Sequence, residues 1–407
     1  MMQRAQRCLL LSLATLGACG GHPPTVVPLP RSDALAAQLA PAARVLDSAI
    51  AAGAAPGAVL AVSLRGERFV YGTGRLGIDD ATRPTGTTLY DMASLTKVIV
   101  LTTLAMEAVE EGKLDLDRTV VSYLPDFARG TGDKQRVTVR DLLLHDSGLP
   151  AHRPLWKETF VRKGAILRTI TSDLVTPPGL HMVYSDLGAI TLTTILESLY
   201  GKRVDALFAE RVSGPLGLRR MRYLPPKGWR SEIAPTENDP WRGRILRGEV
   251  HDENAGRLDG VSGHAGLFAD AEDLLRFGEW ALAGSLGRMA PGTTVTPPKE
   301  FASWTVTQDT PKGSSRGLGW DTPSGLSSAG TIMSTRSFGH TGFTGTSIWV
   351  DPTREVVIVL LTNRVNPTRD TPKFGLIRPT VADAVMRALF PDAPPREPAR
   401  AARRSPN

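Results

Sequence analysis

The 407-residue sequence predicts an α+β fold, in which one antiparallel sheet is built from the N- and C-terminal segments and is flanked by helices. Apolar runs on both sides of short polar turns predict a β-hairpin near each end of the chain, at 58–72 and 347–361. Helical apolar patterns fill the stretch between the hairpins, which predicts an inserted, mostly helical domain. We find no internal repeat, and residues 33–390 are expected to form one functional unit.

Residues 1–18 have the pattern of a signal peptide. Arg4 and Arg7 precede a short apolar run that ends in small residues and is too short to span a membrane in the mature protein. The run ends in Leu-Gly-Ala-Cys, which resembles the lipobox of bacterial lipoproteins and implies lipid attachment at Cys19. Residues 19–32, rich in proline and glycine, would then form a lipid-anchored tether. The alternative is a plain signal peptide in which Cys19 is incidental.

These features predict an exported protein that is lipid-anchored in the cell envelope and faces the periplasm. Gly20, rather than Asp, follows Cys19, which favours the outer membrane over the inner membrane. Cys8 would leave with the signal peptide, so the mature chain would hold no disulfide and would rely on its hydrophobic core. Residues 391–407 combine several prolines and arginines, which predicts a disordered basic tail.

Apolar periodicity and helix-ending residues predict the helices. The helix after Asp270 is expected to be amphipathic, with Asp270 as its N-cap. Residues 225–263 lack periodicity and are rich in Pro, Gly and charge, so we expect loops over a surface or a rim. The predicted helices run from about Ser32 to Ala54, from Ser94 to Glu111, from Leu187 to Leu199, from Asp270 to Leu282 and from Val381 to Leu389.

Ser94 opens a long apolar helical run, and Lys97 follows three residues later on the same helical face. A buried amine beside a serine hydroxyl can be held partly neutral and take the proton of the serine. The alternative is a Ser N-cap followed by a Lys whose stem lies along apolar surface. The S-x-x-K motif is short, so other elements have to support a catalytic interpretation.

Two further motifs follow in order, Tyr184-Ser185-Asp186 and His340-Thr341-Gly342. These two motifs, Ser94-x-x-Lys97 and the residues of the segments 137–150 and 338–345 together resemble the superfamily of serine β-lactamases and penicillin-binding DD-peptidases. The resemblance is in particular to class C β-lactamases, the related DD-peptidases and the family VIII carboxylesterases. That family places S-x-x-K on a helix, Y-x-N on a loop and K-T-G on a strand. The resemblance implies a β-lactamase/transpeptidase-like fold, with a serine hydrolase domain at 33–390.

The resemblance also implies acyl transfer that requires no metal and no organic cofactor. Ser94 would attack a carbonyl carbon, and Lys97 and Tyr184 would shuttle its proton. The backbone N–H groups of Ser94 and Phe343 would form the oxyanion hole. The substrate-binding residues that the resemblance implies are Asp186, His340, Thr341, Gly342 and Phe343.

Asp186 departs from the family pattern, which usually has Asn at this position. An ionised Asp only accepts hydrogen bonds, and a carboxylate near Lys97 would favour the ammonium form. We therefore hypothesise that Lys97 stays charged and that Tyr184 carries more of the base role. The alternative is that Asp186 turns away and caps the helix that begins at Leu187.

His340 stands where the family commonly has Lys. An imidazole with a pKa near 6.5 is mostly neutral at pH 7, whereas a Lys stays charged. This difference predicts weak recognition of substrates that carry a carboxylate, lost as the pH rises through the pKa of His340.

Three other patterns carry less weight. The segment 313–317 matches the nucleophile-elbow motif G-x-S-x-G, but no apolar strand precedes it, and we interpret it as a chance match. The segment 251–253 (His-Asp-Glu) and His264 have no zinc-site spacing, so no metal is expected. His264 could instead lie at the rim of the pocket.

The expected protein is a serine hydrolase that acts through a Ser94 acyl-enzyme on D-alanyl peptides of the peptidoglycan type, on β-lactams or on esters. A non-catalytic envelope binding protein is the alternative from another class. The net charge is +7, but the basic residues are not interleaved with aromatic ones, so nucleic acid is not an expected partner. The expected partners are a small-molecule or peptide substrate and, through the lipid anchor, a membrane. The chain is expected to be a monomer.

Overall fold

The computed structural model describes residues 31–325 and 327–396. The predicted signal peptide, the lipidation site Cys19, nearly all of the tether and most of the basic tail lie outside the described residues. The strands are β1 (Gly57–Leu64), β2 (Glu67–Gly74), β3 (Tyr90–Asp91), β4 (Arg222–Tyr223), β5 (Asn238–Asp239), β6 (Arg244–Ile245), β7 (Leu267–Ala269), β8 (Phe338–Thr341), β9 (Ser347–Asp351) and β10 (Val356–Thr362).

Five strands form the central antiparallel sheet, in the order β2-β1-β10-β9-β8. The first hairpin joins the last one directly, because β1 pairs with β10 from Ala58 opposite Thr362 to Leu64 opposite Val356. The prediction of one sheet built from both ends of the chain is therefore confirmed. Short sheets of three strands (β3-β7-β4) and two strands (β5-β6) lie outside it.

The α-helices cover both faces of the central sheet. Their bounds are α1 (Asp33–Ala51), α2 (Thr103–Glu110), α3 (Val120–Tyr123), α4 (Val139–Leu144), α5 (Leu155–Glu158), α6 (Arg162–Ile170), α7 (Asp186–Tyr200), α8 (Val204–Phe208), α9 (Glu253–Arg257), α10 (Ala271–Ser285), α11 (Phe301–Trp304) and α12 (Ile377–Leu389). Among the described residues, none of these helices is both long enough and apolar enough to cross a membrane.

Side-chain alternation in β1 and β10 divides the core into two layers. Leu60 and Ile358 belong to the cluster that packs against α1 and α12. Val59 and Val357 point to the opposite face and pack against α10 and the inserted helices. Because both faces are covered, the two strands are continuous apolar runs rather than alternating ones.

The helix predicted after Asp270 is present as α10, with Asp270 as its N-cap, but its polar residues are buried along with its apolar ones. Almost all of α10 is buried, because the helix lies between the central sheet and the inserted helices. Its acidic side chains are buried with partners rather than solvated. Glu272 pairs with Arg31, and Asp273 accepts hydrogen bonds from two backbone N–H groups of the segment before β4.

The helix predicted after Ser94 is present and buried as expected. Its first part, Lys97–Thr102, is a π-helix, and α2 continues it to Glu110. All six residues of the π-helix are buried, including Lys97. The wider π-helical turn was not predicted, and π-helical turns in proteins often mark functional sites.

Candidate active site

The turn that carries Ser94 is held by a buried carboxylate. Asp91 accepts a hydrogen bond from the backbone N–H of Ala93 at 2.8 Å and another from the N–H of His251 at 2.6 Å. Ala93 has a φ of 45°, in the left-handed region that residues with a side chain rarely adopt. Asp91 therefore stabilises a strained backbone immediately before the serine.

The turn between β8 and β9 is fastened to the same segment. The hydroxyl of Thr344 donates to the carbonyl of Asp91 at 2.7 Å, and the hydroxyl of Thr346 donates to the carbonyl of Met92 at 3.2 Å. At Gly342, a Cβ atom would lie only 2.5 Å from the Met92 carbonyl and 2.2 Å from the Thr346 hydroxyl. A glycine is required for this close approach, which places the H-T-G motif beside Ser94.

Two backbone N–H groups at this junction are available to an anion. The N–H groups of Ser94 and Phe343 donate to no acceptor among the residues that the structure describes. Free backbone donors on two segments that are fixed to each other are what an oxyanion hole requires. The arrangement can stabilise negative charge on a carbonyl oxygen that Ser94 attacks.

Lys97 has an acceptor for each of its three N–H bonds. Its Nζ lies 3.0 Å from the Ser94 Oγ, 2.7 Å from an Asp186 carboxylate oxygen and 3.1 Å from the His264 carbonyl oxygen. Burial alone would lower the pKa of Lys97, but the Asp186 carboxylate and the nearby Tyr184 together outweigh it and raise that pKa above its ordinary value. The side chain is therefore an ammonium that donates to Ser94.

The alternative position of Asp186, as the cap of the following helix, does not occur. Ser185 is the N-cap of α7, and its Oγ accepts from the N–H of Gly188 at 3.1 Å. Asp186 is already the first residue of α7, and its side chain faces Lys97.

Tyr184 lies against the same ammonium. The Lys97 Nζ is 4.9 Å from the centre of the Tyr184 ring, and the ring packs at 4.4 Å from that of His145. The Tyr184 hydroxyl is buried and has no hydrogen-bond partner among the described residues. His145 is also buried, and its Nδ1 accepts from the N–H of Ser185 at 3.1 Å. The packing fixes the tyrosine ring and leaves its oxygen available to a reacting group.

The protonation state of His340 differs from the one that its sequence position suggested. It is buried, and its Nδ1 donates to the carbonyl of Thr341 at 2.8 Å, so its Nε2 carries a lone pair. Burial, with the charges of Arg316 and Lys97, holds the pKa of His340 well below its usual range. The prediction that His340 titrates near pH 6.5 is therefore wrong, because the ring is neutral at physiological pH.

Two arginines that the sequence analysis did not select lie in the same pocket. A cavity of 620 Å³ opens beside Ser94, Tyr184 and His340, and Arg316 and Arg378 line it. Among the described residues, the Nε and Nη1 of Arg316 and the Nε of Arg378 are buried without a hydrogen-bond partner. Burial and the nearby charge of Arg364 lower the pKa of Arg378. The pocket therefore contains positive charge that is incompletely paired.

No motif could have indicated these arginines. Arg316 belongs to the segment 313–317, which is irregular backbone and not the strand-to-helix turn of a nucleophile elbow; the hydroxyl of Ser315 donates to the Asp321 carboxylate at 3.2 Å. Arg378 lies in the first turn of α12, far along the chain from the three motifs. Only the folded chain brings them to the serine.

A second cavity, of 500 Å³, also has Ser94 in its lining. Asp186, Asp252, His264 and Phe343 are among its lining residues. His264, which we expected near the rim, thus lines this cavity, although its own side chain is buried. Within the ranges 31–325 and 327–396, no group of three or more His, Cys, Asp and Glu side chains could hold a metal ion.

Comparisons with known proteins find a matching family and named relatives. Residues 42–382 match the family described as Beta-lactamase. A protein of Salmonella agona (strain SL483) named "Putative D-alanyl-D-alanine carboxypeptidase" is 32% identical over 321 residues, which cover 71% of this chain and 72% of that protein.

Two solved structures share the fold. The first, "EstCE1, a hydrolase with promiscuous acyltransferase activity", has a TM-score of 0.70 at 22% identity, with 87% of this chain and 100% of that chain covered. A penicillin-binding protein homolog from Caulobacter crescentus has a TM-score of 0.69 at 19% identity, with 88% and 98% covered. At these identities the likeness concerns the fold alone.

Proposed function

Because this chain belongs to the beta-lactamase family and is a serine hydrolase, we propose that it removes the C-terminal residue from peptides that end in D-alanyl-D-alanine. This activity differs from the hydrolysis of neutral esters in the group of the substrate that the site has to recognise. A carboxypeptidase has to recognise the free carboxylate of its substrate, whereas an esterase does not. The relative named as a D-alanyl-D-alanine carboxypeptidase supports the same choice.

The observation that carries the proposal is the arginine-lined side of the pocket. Arg316 and Arg378 hold buried N–H donors without partners in the described part of the chain, and both line the cavity that contains Ser94. The nearest carboxylate to Arg316, that of Asp321, is 4.0 Å from its Nε. A buried cation without a full set of acceptors is costly, and a substrate carboxylate would complete its pairing. These arginines would supply the carboxylate contact that His340, being neutral, cannot supply.

The proposed reaction proceeds through an ester on Ser94. The Ser94 Oγ attacks the carbonyl carbon of the penultimate D-alanine while the Ser94 proton passes to Tyr184, which relays it. The N–H groups of Ser94 and Phe343 hold the resulting oxyanion. Tyr184 then gives the proton to the amine of the last residue as the C–N bond breaks. Water hydrolyses the ester and releases the shortened peptide.

The test compares peptides that differ only at the C-terminus. A diacetyl-L-Lys-D-Ala-D-Ala peptide should release D-alanine, whereas its C-terminal amide and a peptide ending in L-alanine should not. The Ser94→Ala variant is the control and should release none. Equal hydrolysis of the free acid and the amide would contradict the proposal and favour a role without carboxylate recognition.

β-Lactam hydrolysis is the second candidate, because a penicillin also carries a carboxylate near its reactive carbonyl and would suit the same arginines. The intact mass of a soluble form of the chain, followed over time with benzylpenicillin, separates the two activities. A lasting adduct that the Ser94→Ala variant lacks indicates a peptidase that penicillin inhibits. An adduct that forms and disappears indicates a β-lactamase.

We propose that the protein acts in the cell envelope, tethered through a lipid on Cys19. The support is the sequence pattern at residues 1–19 alone. Metabolic labelling with a radioactive fatty acid should label the full chain and not its Cys19→Ser variant. Equal labelling of both would contradict the lipid anchor.

A further inference from the structure

Asp252 and His264 form a hydrogen-bonded pair next to Lys97, in which the His264 side chain is buried and that of Asp252 is partly exposed. The His264 Nε2 lies 2.9 Å from the Asp252 Oδ1, and its Nδ1 lies 2.8 Å from the hydroxyl of Ser262. The His264 side chain is 1% exposed. Burial alone would raise the pKa of Asp252, but the contact with His264, helped by the Ala255 N–H and the charge of Lys97, keeps that pKa well below its usual range. Asp252 is therefore ionised, and His264 donates its Nε2–H to it.

Both nitrogens of the His264 ring are thus occupied within the protein. A general base needs a free lone pair directed at the substrate, and this ring presents none. The part of His264 that reaches the reacting groups is its backbone carbonyl, which accepts from the Lys97 Nζ at 3.1 Å. The ring contacts consequently fix the orientation of the residue rather than take part in proton transfer.

Further hydrogen bonds connect Asp252 and the loop before His264 to neighbouring helices. The Asp252 Oδ1 also accepts from the N–H of Ala255 at 2.7 Å and so caps α9. The N–H of Gly263 donates to the hydroxyl of Thr193 on α7 at 3.0 Å. The loop that ends at His264 is therefore tied to two helices, and its carbonyl has a fixed position relative to α7, which also carries Asp186.

We propose that Asp252 and His264 are positioning residues that hold the His264 carbonyl as the third acceptor of the Lys97 ammonium. The other two acceptors are Ser94 and Asp186, so the three together set the direction in which Lys97 donates to the serine. The inference rests on the proposed chemistry of Ser94 and Lys97, but it applies to any acyl donor. Without the pair, the ammonium would turn toward Asp186 and lose its alignment with the nucleophile.

The test uses p-nitrophenyl acetate, which acylates a reactive serine and does not depend on recognition of a D-alanyl peptide. The His264→Ala and Asp252→Ala variants should lower kcat about 10- to 100-fold with KM changed less than about twofold, since misplacing a catalytic group by about 1 Å has that effect. The His264→Gln and Asp252→Asn variants can keep the pair's hydrogen bond and should stay within about fivefold of the wild type. Matched controls are His181→Gln and Asp79→Asn, both at exposed positions.

The outcomes separate this inference from the proposed function. If the wild type fails to release p-nitrophenol above the Ser94→Ala level, the chemistry of Ser94 is wrong, and the inference falls with it. If the wild type is active and the Ala variants match it, the positioning role alone is overturned. Equal losses in the Ala and the conservative variants would indicate a packing defect and would also overturn it. If either Ala variant does not fold, the His264→Gln and Asp252→Asn variants provide the test. A loss of kcat greater than fivefold in both of them contradicts the proposal.

Discussion

The Nζ of Lys97 lies 2.7 Å from the Oδ1 of Asp186, in a site where the lysine side chain is 4% exposed. This ion pair makes Lys97 a fixed positive charge beside Ser94 rather than a neutral base. It also leaves Tyr184, whose hydroxyl has no partner among the described residues, as the group available to accept the serine proton. The sequence departure at Asp186 thus has a direct electrostatic consequence.

Replacing Asp186 by Asn should shift the pH dependence of the reaction. The carboxylate raises the pKa of Lys97, so its removal lowers that pKa, and the ammonium is lost at a lower pH. The alkaline limb of the kcat/KM profile should therefore move to lower pH in Asp186→Asn. The measurement is kcat/KM for an activated ester between pH 5 and 10. An unshifted profile in a folded variant would show that the ion pair does not control the reaction.

Replacing Arg316 by Gln should weaken the recognition of acidic substrates selectively. A hydrogen bond to a charged group contributes roughly 1.5–3 kcal/mol, so kcat/KM for a peptide with a free C-terminus should fall about 10- to 100-fold. Hydrolysis of a neutral ester should change little. Arg44→Gln, at an exposed position of α1, is the matched control. Equal losses on acidic and neutral substrates would place Arg316 outside carboxylate recognition.

The preference for acidic substrates should not change between pH 5.5 and 8. His340 has a pKa well below its usual range, because it is buried near Arg316 and Lys97, and it contributes no charge that could be lost in this interval. We expect a constant ratio of kcat/KM for a carboxylate substrate and its methyl ester. A ratio that declines through pH 6.5 would restore His340 as the residue that recognises the carboxylate.

The contribution of Asp146 to the stability of the fold should fall as the pH rises from about 4 to 7. Asp146 is fully buried, and neither of its carboxyl oxygens has a partner among the described residues. Burial raises its pKa to about 7, with Asp141 adding to the effect. The folded state therefore favours the protonated acid. The stabilisation is fully present below the unfolded pKa of about 3.9 and is lost as the pH approaches 7, by up to about 4 kcal/mol.

The measurement is the free energy of unfolding in urea at pH 4, 5.5 and 8 for the wild type and for Asp146→Asn. The variant cannot ionise at this position, so its stability should depend less on pH and should exceed that of the wild type at pH 8. Asp79→Asn, at an exposed position, should follow the wild-type dependence. Parallel curves for the wild type and Asp146→Asn would mean that Asp146 is already charged in the folded state.

Much of the fold could be predicted because local signals agreed with the tertiary structure. The hairpin patterns in β1–β2 and β9–β10 each had apolar runs and a polar turn, and their pairing follows from burial of both faces. The helix α10 shows the limit of such signals. The burial of its acidic residues was not predicted, because their partners come from Arg31 and from the segment before β4, which local periodicity cannot reveal.

The same limit applies to the candidate site. Ser94, Lys97, Tyr184 and His340 were selected by motif order, and the structure brings them together. Arg316 could not be selected, because its place in the pocket depends on an irregular loop. The protonation state of His340 could not be predicted either, since its pKa depends on burial and on charges from distant parts of the chain.

The pairing of β1 with β10 joins residues that are about 300 positions apart in the chain. A ribosome must therefore complete most of the polypeptide before the central sheet can form, and the contact order of the fold is high. Until then, β1 and β2 are a lone hairpin, which is marginally stable in water at best. Such a chain is slow to acquire its native core during translation. That delay would keep it in the unfolded form that translocation across a membrane requires, as export of this protein would demand.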